Sequence, residues 1–268
     1  MKNVTHIFYI VIVLLIIFVS FETGYSCGYE GKSKVEMLGF SKDSSSFALR
    51  YVYSKATGGS VCKYPSVNGI KPTQVELLLY QTGKKTEHWT IYKDPEMGYG
   101  FEYVKPKGEK LTCTSHSKAS IILKKAKEAF KKANIVMKYK GEETKLSKLK
   151  IKKDKKEVKL NCIYIPEKIM KKYGCNSSVS IYSEFTRELP EKLSNLHSYY
   201  AYTKDYKKII IESWEVMNFH FYRNFGSAWF SPDKSKLIFT YNNAAGPNKP
   251  IVVDIKDLAT RIILNKSD

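Results

Sequence analysis

Phe40-Ser41-Lys42-Asp43-Ser44-Ser45-Ser46-Phe47-Ala48-Leu49-Arg50-Tyr51 returns near the carboxyl end as Phe230-Ser231-Pro232-Asp233-Lys234-Ser235-Lys236-Leu237-Ile238-Phe239-Thr240-Tyr241. Phe, Ser, Asp, Ser and Tyr hold matching positions in the two stretches. A third stretch, Tyr202-Thr203-Lys204-Asp205 leading to Ile209-Ile210-Ile211, keeps the same order of side-chain types. An aromatic, a hydroxyl residue and an Asp precede a short polar run, and then three apolar residues follow. The Asp carboxylate can accept from nearby backbone amides, Pro232 fixes φ, and the apolar run enters a buried strand. Each copy therefore reads as a tight turn between antiparallel strands.

The first and last copies have similar sequels. After the first come Val75–Tyr80, a turn at Thr82–Lys85, and His88–Tyr92. After the last come Pro250–Asp254, a short polar link, and Thr260–Leu264. Each sequel reads as strand, turn or link, strand. The Phe-Ser-Pro-Asp opening resembles that of β-propeller families such as the TolB-like periplasmic proteins. It is also similar to bacterial secreted proteins and lipoproteins of unknown function that open in the same way. The resemblance covers roughly a third of the chain. It implies blade-like sheets and a place in the cell envelope. A propeller typically takes about four to eight blades at a fixed period, and these copies are few and unevenly spaced.

Ser117–Lys138 carries the one helical pattern. Ile122, Ala126, Ala129, Phe130 and Ala133 fall at i, i+4, i+7, i+8 and i+11, a single apolar stripe that suits packing on a sheet. Lys124, Lys127, Lys131 and Lys132 lie off it, with Glu128 placed to pair with Lys124, Lys131 or Lys132. Ser115 or Ser117 suits the N-cap, and Ile135-Val136-Met137 opens the next strand. The expected fold is mainly β (α+β), with antiparallel blade-like sheets and one packed amphipathic helix near 117–138.

The amino terminus has a Lys, then the apolar run Ile7–Phe21, broken only by Ser20. That run falls short of the roughly twenty residues a spanning helix needs, and it fits a secretory signal peptide over residues 1–26. An uncleaved anchor is the alternative. Gly24 and Ser26 stand at −3 and −1 of a cut before Cys27. Cys27 then begins the mature chain, residues 27–268, either lipidated as in bacterial lipoproteins or unmodified; Gly24 stands where lipoboxes carry a large aliphatic residue. In an exported chain Cys62, Cys113, Cys162 and Cys175 are expected to oxidise. Of the three pairings, Cys62–Cys113 with Cys162–Cys175 joins nearest neighbours in sequence. No C-x-x-C or zinc-type spacing occurs, and no cofactor is expected.

The net charge is +19, and residues 105–159 hold nineteen Lys against six acids. Such a segment points to a polyanion, of which an acidic polysaccharide suits an exported protein best. Only four of the 45 basic residues are Arg (Arg50, Arg187, Arg223 and Arg261). Planar bidentate phosphate recognition prefers Arg, which with export argues against nucleic acid.

Catalytic patterns are scarce. Among His6, His88, His116, His197 and His220 no H-E-x-x-H arises, and no G-x-S-x-G or P-loop is present. Ser115-His116-Ser117-Lys118 spells S-x-x-K, but its partner elements are missing. Of two aromatic-rich runs, His197–Tyr202 and Asn218–Phe225, the second would place His220, Tyr222 and Asn224 on one strand face beside Arg223. His220, Tyr222 and Arg223 are thus the candidate ligand contacts, gripping a sugar ring or a peptide if that face is open. The sequence points to an exported, non-enzymatic envelope or cell-surface protein acting through surface contacts. An acidic polysaccharide or an envelope protein is the expected partner, and the membrane is reached only through a lipid anchor. The alternatives are a polyanion-binding module and a hydrolase of envelope polymers with His220 or His197 as base.

Overall fold

The structure is a computed structural model that describes residues 32–54, 62–94, 112–153, 156–187, 195–204, 208–216, 224–242 and 250–265. Two copies of the Asp turn are described in full. At the first, Asp43 Oδ1 accepts from Ser41 Oγ at 2.6 Å, Ser45 N at 3.1 Å and Ser45 Oγ at 2.9 Å. At the last, Asp233 Oδ1 accepts from Ser231 Oγ at 2.6 Å, Ser235 N at 3.0 Å and Ser235 Oγ at 2.9 Å. Ser46 N and Lys236 N each donate back to the leading serine at 2.9 Å. Asp205 of the third copy lies outside the described residues.

Each turn joins two antiparallel strands. The first links β1 (Lys32–Ser41) to β2 (Ser46–Ser54), and the last links β12 (Asn224–Phe230) to β13 (Lys236–Asn242). With β3 (Gln74–Gln81), β4 (Glu87–Lys93) and the two-residue β5 (Ile135–Val136), the first pair forms a sheet in the order β4-β3-β2-β1-β5. The last pair forms a second sheet with β14 (Ile251–Asp254) and β6 (Glu142–Thr144), in the order β14-β13-β12-β6. A third sheet orders β11 (Ile209–Val216), β10 (Asn195–Tyr202), β9 (Val179–Arg187), β8 (Lys156–Ile165) and β7 (Leu146–Lys153). Every pairing is antiparallel. The chain is mainly β with few helices, as the repeated turns and the apolar runs after them predict.

The strand period sorts the core into layers, because successive side chains point to opposite faces. On β2, Ala48 and Val52 face helix α1 (His116–Lys132), while Phe47, Leu49 and Tyr51 face Trp229 and Ile238 of the second sheet. Trp229 and Ile238 alternate with Ala228, Phe230, Leu237 and Phe239, which face the third sheet through Ile163, Ile181 and Tyr199. The order is helix, first sheet, second sheet, third sheet. Two inner sheets buried on both faces explain why FALRYV and KLIFTY lack a clean polar alternation.

Three expectations change. The helix spans His116–Lys132, not 117–138, because Ala133 caps it and Asn134 takes the left-handed region (φ 56°), which redirects the chain into β5. Thr260–Leu264 is not a strand: helix α3 (Ile255–Leu264) occupies it after the four-residue helix α2 (Glu167–Met170). Asp254 caps α3 by accepting from Lys256 N and Asp257 N, and Ile255, Leu258, Ala259 and Ile262 form its buried stripe. That i, i+3, i+4, i+7 spacing is helical. Glu128 makes no ion pair with another described residue.

Candidate functional site

Helix α1 begins where Ser115 Oγ accepts from Lys118 N at 3.3 Å. Ser115 is therefore the N-cap, and Ser115-His116-Ser117-Lys118 serves a helix start. His116 meets the ring of Tyr92 edge-on at 6.3 Å. The amino end is tied down twice. Cys113 is bridged to Cys62, and Tyr64 accepts from Thr114 N at 3.0 Å while donating to the Lys93 carbonyl at 2.8 Å. The helix then lies across the first sheet on Ala119, Ala126, Phe130 and Ala133.

A cleft of about 1120 Å³ opens where the helix's last two turns overhang that sheet. Leu38, Leu77 and Phe130 line it, β5 supplies Ile135 and Val136, and the β1–β2 turn supplies Lys42 and Asp43. Gly39 lets β5 close the wall, since a Cβ there would strike the Val136 carbonyl. Leu123, Lys127 and Lys131 recur every fourth residue, so one flank of α1 faces the cleft beside the buried stripe.

The cleft is strongly cationic. Lys42, Arg50, Lys84, Lys127, Lys131 and Lys132 line it, with Asp43 as the one acid among the described lining residues. Arg50 is engaged, holding Glu36 Oε2 at 2.5 Å, and Asn68 donates to the same oxygen at 3.0 Å. Burial pushes the Glu36 carboxyl up, but the Arg50 and Asn68 contacts win and hold it below its usual range. Asp43 is likewise held low, first by the Ser41 hydroxyl and then by the Ser45 amide and hydroxyl. The five lysines make no ion pair to another described residue. Lys131 and Lys132 also complement the carboxyl end of the helix dipole.

The described lysines of the basic segment 105–159 are spread over more than one element. Lys127, Lys131 and Lys132 join the cleft, whereas Lys148, Lys150 and Lys159 stand exposed on the β7–β8 hairpin. There Lys150 pairs with Glu157 at 3.0 Å and Lys148 donates to Asn161 at 2.5 Å.

The second expected bridge is corrected. Cys162 and Cys175 are both buried free thiols. Cys162 packs with Tyr182 and Tyr200 on one face of the third sheet, whereas Cys175 packs with Ile163 and Ile181 on the other. Alternation along β8 puts a sheet between the sulfurs. Burial pushes the Cys162 thiol up, against a hydrogen bond from Ser180 that lowers it. Cys27, residues 1–26, His220, Tyr222 and Arg223 lie outside the described residues. In the first aromatic run, Tyr199 packs into the core and Tyr200 on the opposite face, where Lys208 Nζ sits 3.6 Å from its ring centre.

Among the described residues no group of three His, Cys, Asp or Glu could hold a metal ion, and no helix is long and apolar enough to cross a membrane. The chain matches no protein-family model, no curated protein and no solved structure.

Proposed function

We propose that this is an exported envelope or cell-surface protein that works by non-covalent contact and binds an acidic ligand in the cleft between α1 and the first sheet. The observation that carries the reading is the gathering of Lys42, Lys84, Lys127, Lys131 and Lys132 around one concave site where Asp43, the one acid among the described lining residues, is occupied by its own turn. Concave sites with convergent charge concentrate counter-ions and are the default binding surfaces of a protein. A leader-like amino terminus and the Cys62–Cys113 bridge support export, since disulfides persist in oxidising compartments. The Phe-Ser-Pro-Asp opening at 230–233 and its relatives at 40–43 and 202–205 support a likeness to TolB-like envelope proteins.

The test is a salt gradient on immobilised heparin, used as a generic acidic probe. The wild-type chain is retained above about 150 mM NaCl because several charges act together. Removing Lys84, Lys127, Lys131 and Lys132 as alanines brings elution well below that point. Removing Lys148, Lys150 and Lys159 from the hairpin changes elution little. Equal losses from both sets would contradict the cleft assignment.

A further inference from the structure

The cleft is not a plain ring of charge. Leu38, Leu77 and Phe130, all buried, form its floor, and Leu123 and Met137 stand at its open side, 36% and 50% exposed. Single exposed apolar side chains are ordinary, but two that converge on one apolar floor make a continuous surface. Lys127 lies one turn beyond Leu123, and Lys131 one turn beyond Lys127, so charge and apolar surface share one flank of α1. A hydrophilic polyanion would satisfy the lysines and leave this floor unmatched.

We infer, building on the acidic-ligand reading above, that the cleft takes a single-chain amphiphile with an acidic head group. The head is met by Lys127, Lys131 and Lys84, and the alkyl chain lies on Leu38, Leu77 and Phe130 with Leu123 and Met137 closing over it. Both halves of the molecule then find their complement, the charge on the rim and the chain on the floor. Lysine suits this rim, because its mobile point charges follow a head group without the planar fork that Arg would impose. The volume of about 1120 Å³ lies just above the range of about 300 to 1,000 Å³ usual for small-molecule sites, so head group and alkyl chain both have room in an open cleft.

The test is isothermal titration of the full chain with acetate and with alkanoates from hexanoate to dodecanoate below their micelle-forming concentrations. Alkyltrimethylammonium ions of the same lengths serve as charge controls. Affinity for the acids rises about three- to fourfold for each methylene buried, and the cations do not bind. Lys127→Ala with Lys131→Ala weakens all the acids by a common factor. Leu123→Ser with Met137→Ser, both at exposed positions, flattens the chain-length series while far-ultraviolet circular dichroism stays unchanged. Acid binding that ignores chain length overturns the amphiphile and leaves the acidic-ligand reading standing. Alkyl chains that bind whatever the head-group charge overturn the acidic head. If no alkanoate binds while the heparin result depends on the cleft lysines, the amphiphile alone falls; if neither depends on them, both readings fall.

Discussion

Ser231 Oγ donates to Asp233 Oδ1 at 2.6 Å, and Ser41 meets Asp43 at the same distance 190 positions earlier in the chain. Around each pair the same network recurs: an amide and a hydroxyl two residues after the Asp, and an amide five residues after the serine that donates back to it. The residue following each Asp takes the left-handed region, Ser44 at φ 56° and Lys234 at φ 63°. Neither is glycine, so the hydrogen-bonded Asp loop holds a backbone conformation that an L-residue does not readily choose.

These two carboxylates make stability depend on acid. Asp43 is held below its usual range by the Ser41 hydroxyl and then the Ser45 groups. For Asp233 burial works upward, but the Ser231 hydroxyl and the Ser235 amide and hydroxyl outweigh it, so it too is lowered. A lowered folded-state pKa contributes stability that is present above the unfolded value of 3.8 and is lost as pH falls through the folded value. The urea midpoint should drop below about pH 4. Asp43→Asn and Asp233→Asn should be less stable than wild type at pH 7, and the gap should shrink as pH falls below 4. A gap that stays constant to pH 2 would contradict the assignment.

Gly39 joins the fold to the cleft. A Cβ there would collide with the Val136 backbone, and β5 supplies one wall of the cleft. Gly39→Ala should cost stability on the order of 1–3 kcal/mol through overpacking and should weaken acidic-ligand binding. Amide exchange at Ile135 and Val136 is the measurement: faster exchange there than at β2 or β3 is expected, and unchanged exchange would show that β5 tolerates the methyl.

The cysteines should divide into two classes. Closing a loop of sequence separation 51, the Cys62–Cys113 bridge should contribute about 4 kcal/mol by the loop-entropy account. Reductant should therefore lower the urea midpoint of the wild-type chain, and Cys62→Ser with Cys113→Ser should reproduce that drop. Cys162 and Cys175, both buried, should resist alkylation in the folded protein and react once it is denatured. A non-reduced digest with a peptide joining Cys162 to Cys175 would contradict two free thiols.

The α3 cap offers a local test of the carboxyl end. Asp254 accepts from Lys256 N at 3.0 Å and Asp257 N at 3.2 Å. Asp254→Ala should cost about 1 kcal/mol in a thermal or urea melt; a neutral result would mean that helix packing alone fixes this end.

The Asp turns were legible in the sequence because their chemistry is local: Ser, Asp and Ser lie within five residues of one another. Ser115 and the stripe from Ile122 to Ala133 were legible for the same reason. Thr260–Leu264 by itself suits a strand, and the helix shows only when the segment is taken from the Asp254 cap onward, where Ile255, Leu258, Ala259 and Ile262 fall at helical spacing. Nearness in sequence does not bring Cys162 and Cys175 together, because the third sheet lies between them. Cys162 and Ile163 point to opposite faces of β8, and Cys175 packs on the Ile163 face. The cleft was the least legible element. Leu38 and Leu77 come from strands of the first sheet, Lys84 from the turn between β3 and β4, and Lys127 and Lys131 from the helix, and no local spacing joins them. The lysine count gave the sign of the charge, while the fold decided which lysines converge.

Lysine acetylation footprinting with and without a bound acidic ligand tests that convergence most directly. With dodecanoate or heparin present, Lys84, Lys127, Lys131 and Lys132 should become markedly less reactive, while Lys148, Lys150 and Lys159 keep their rates. Protection spread evenly over all seven, or confined to the hairpin three, would contradict the account.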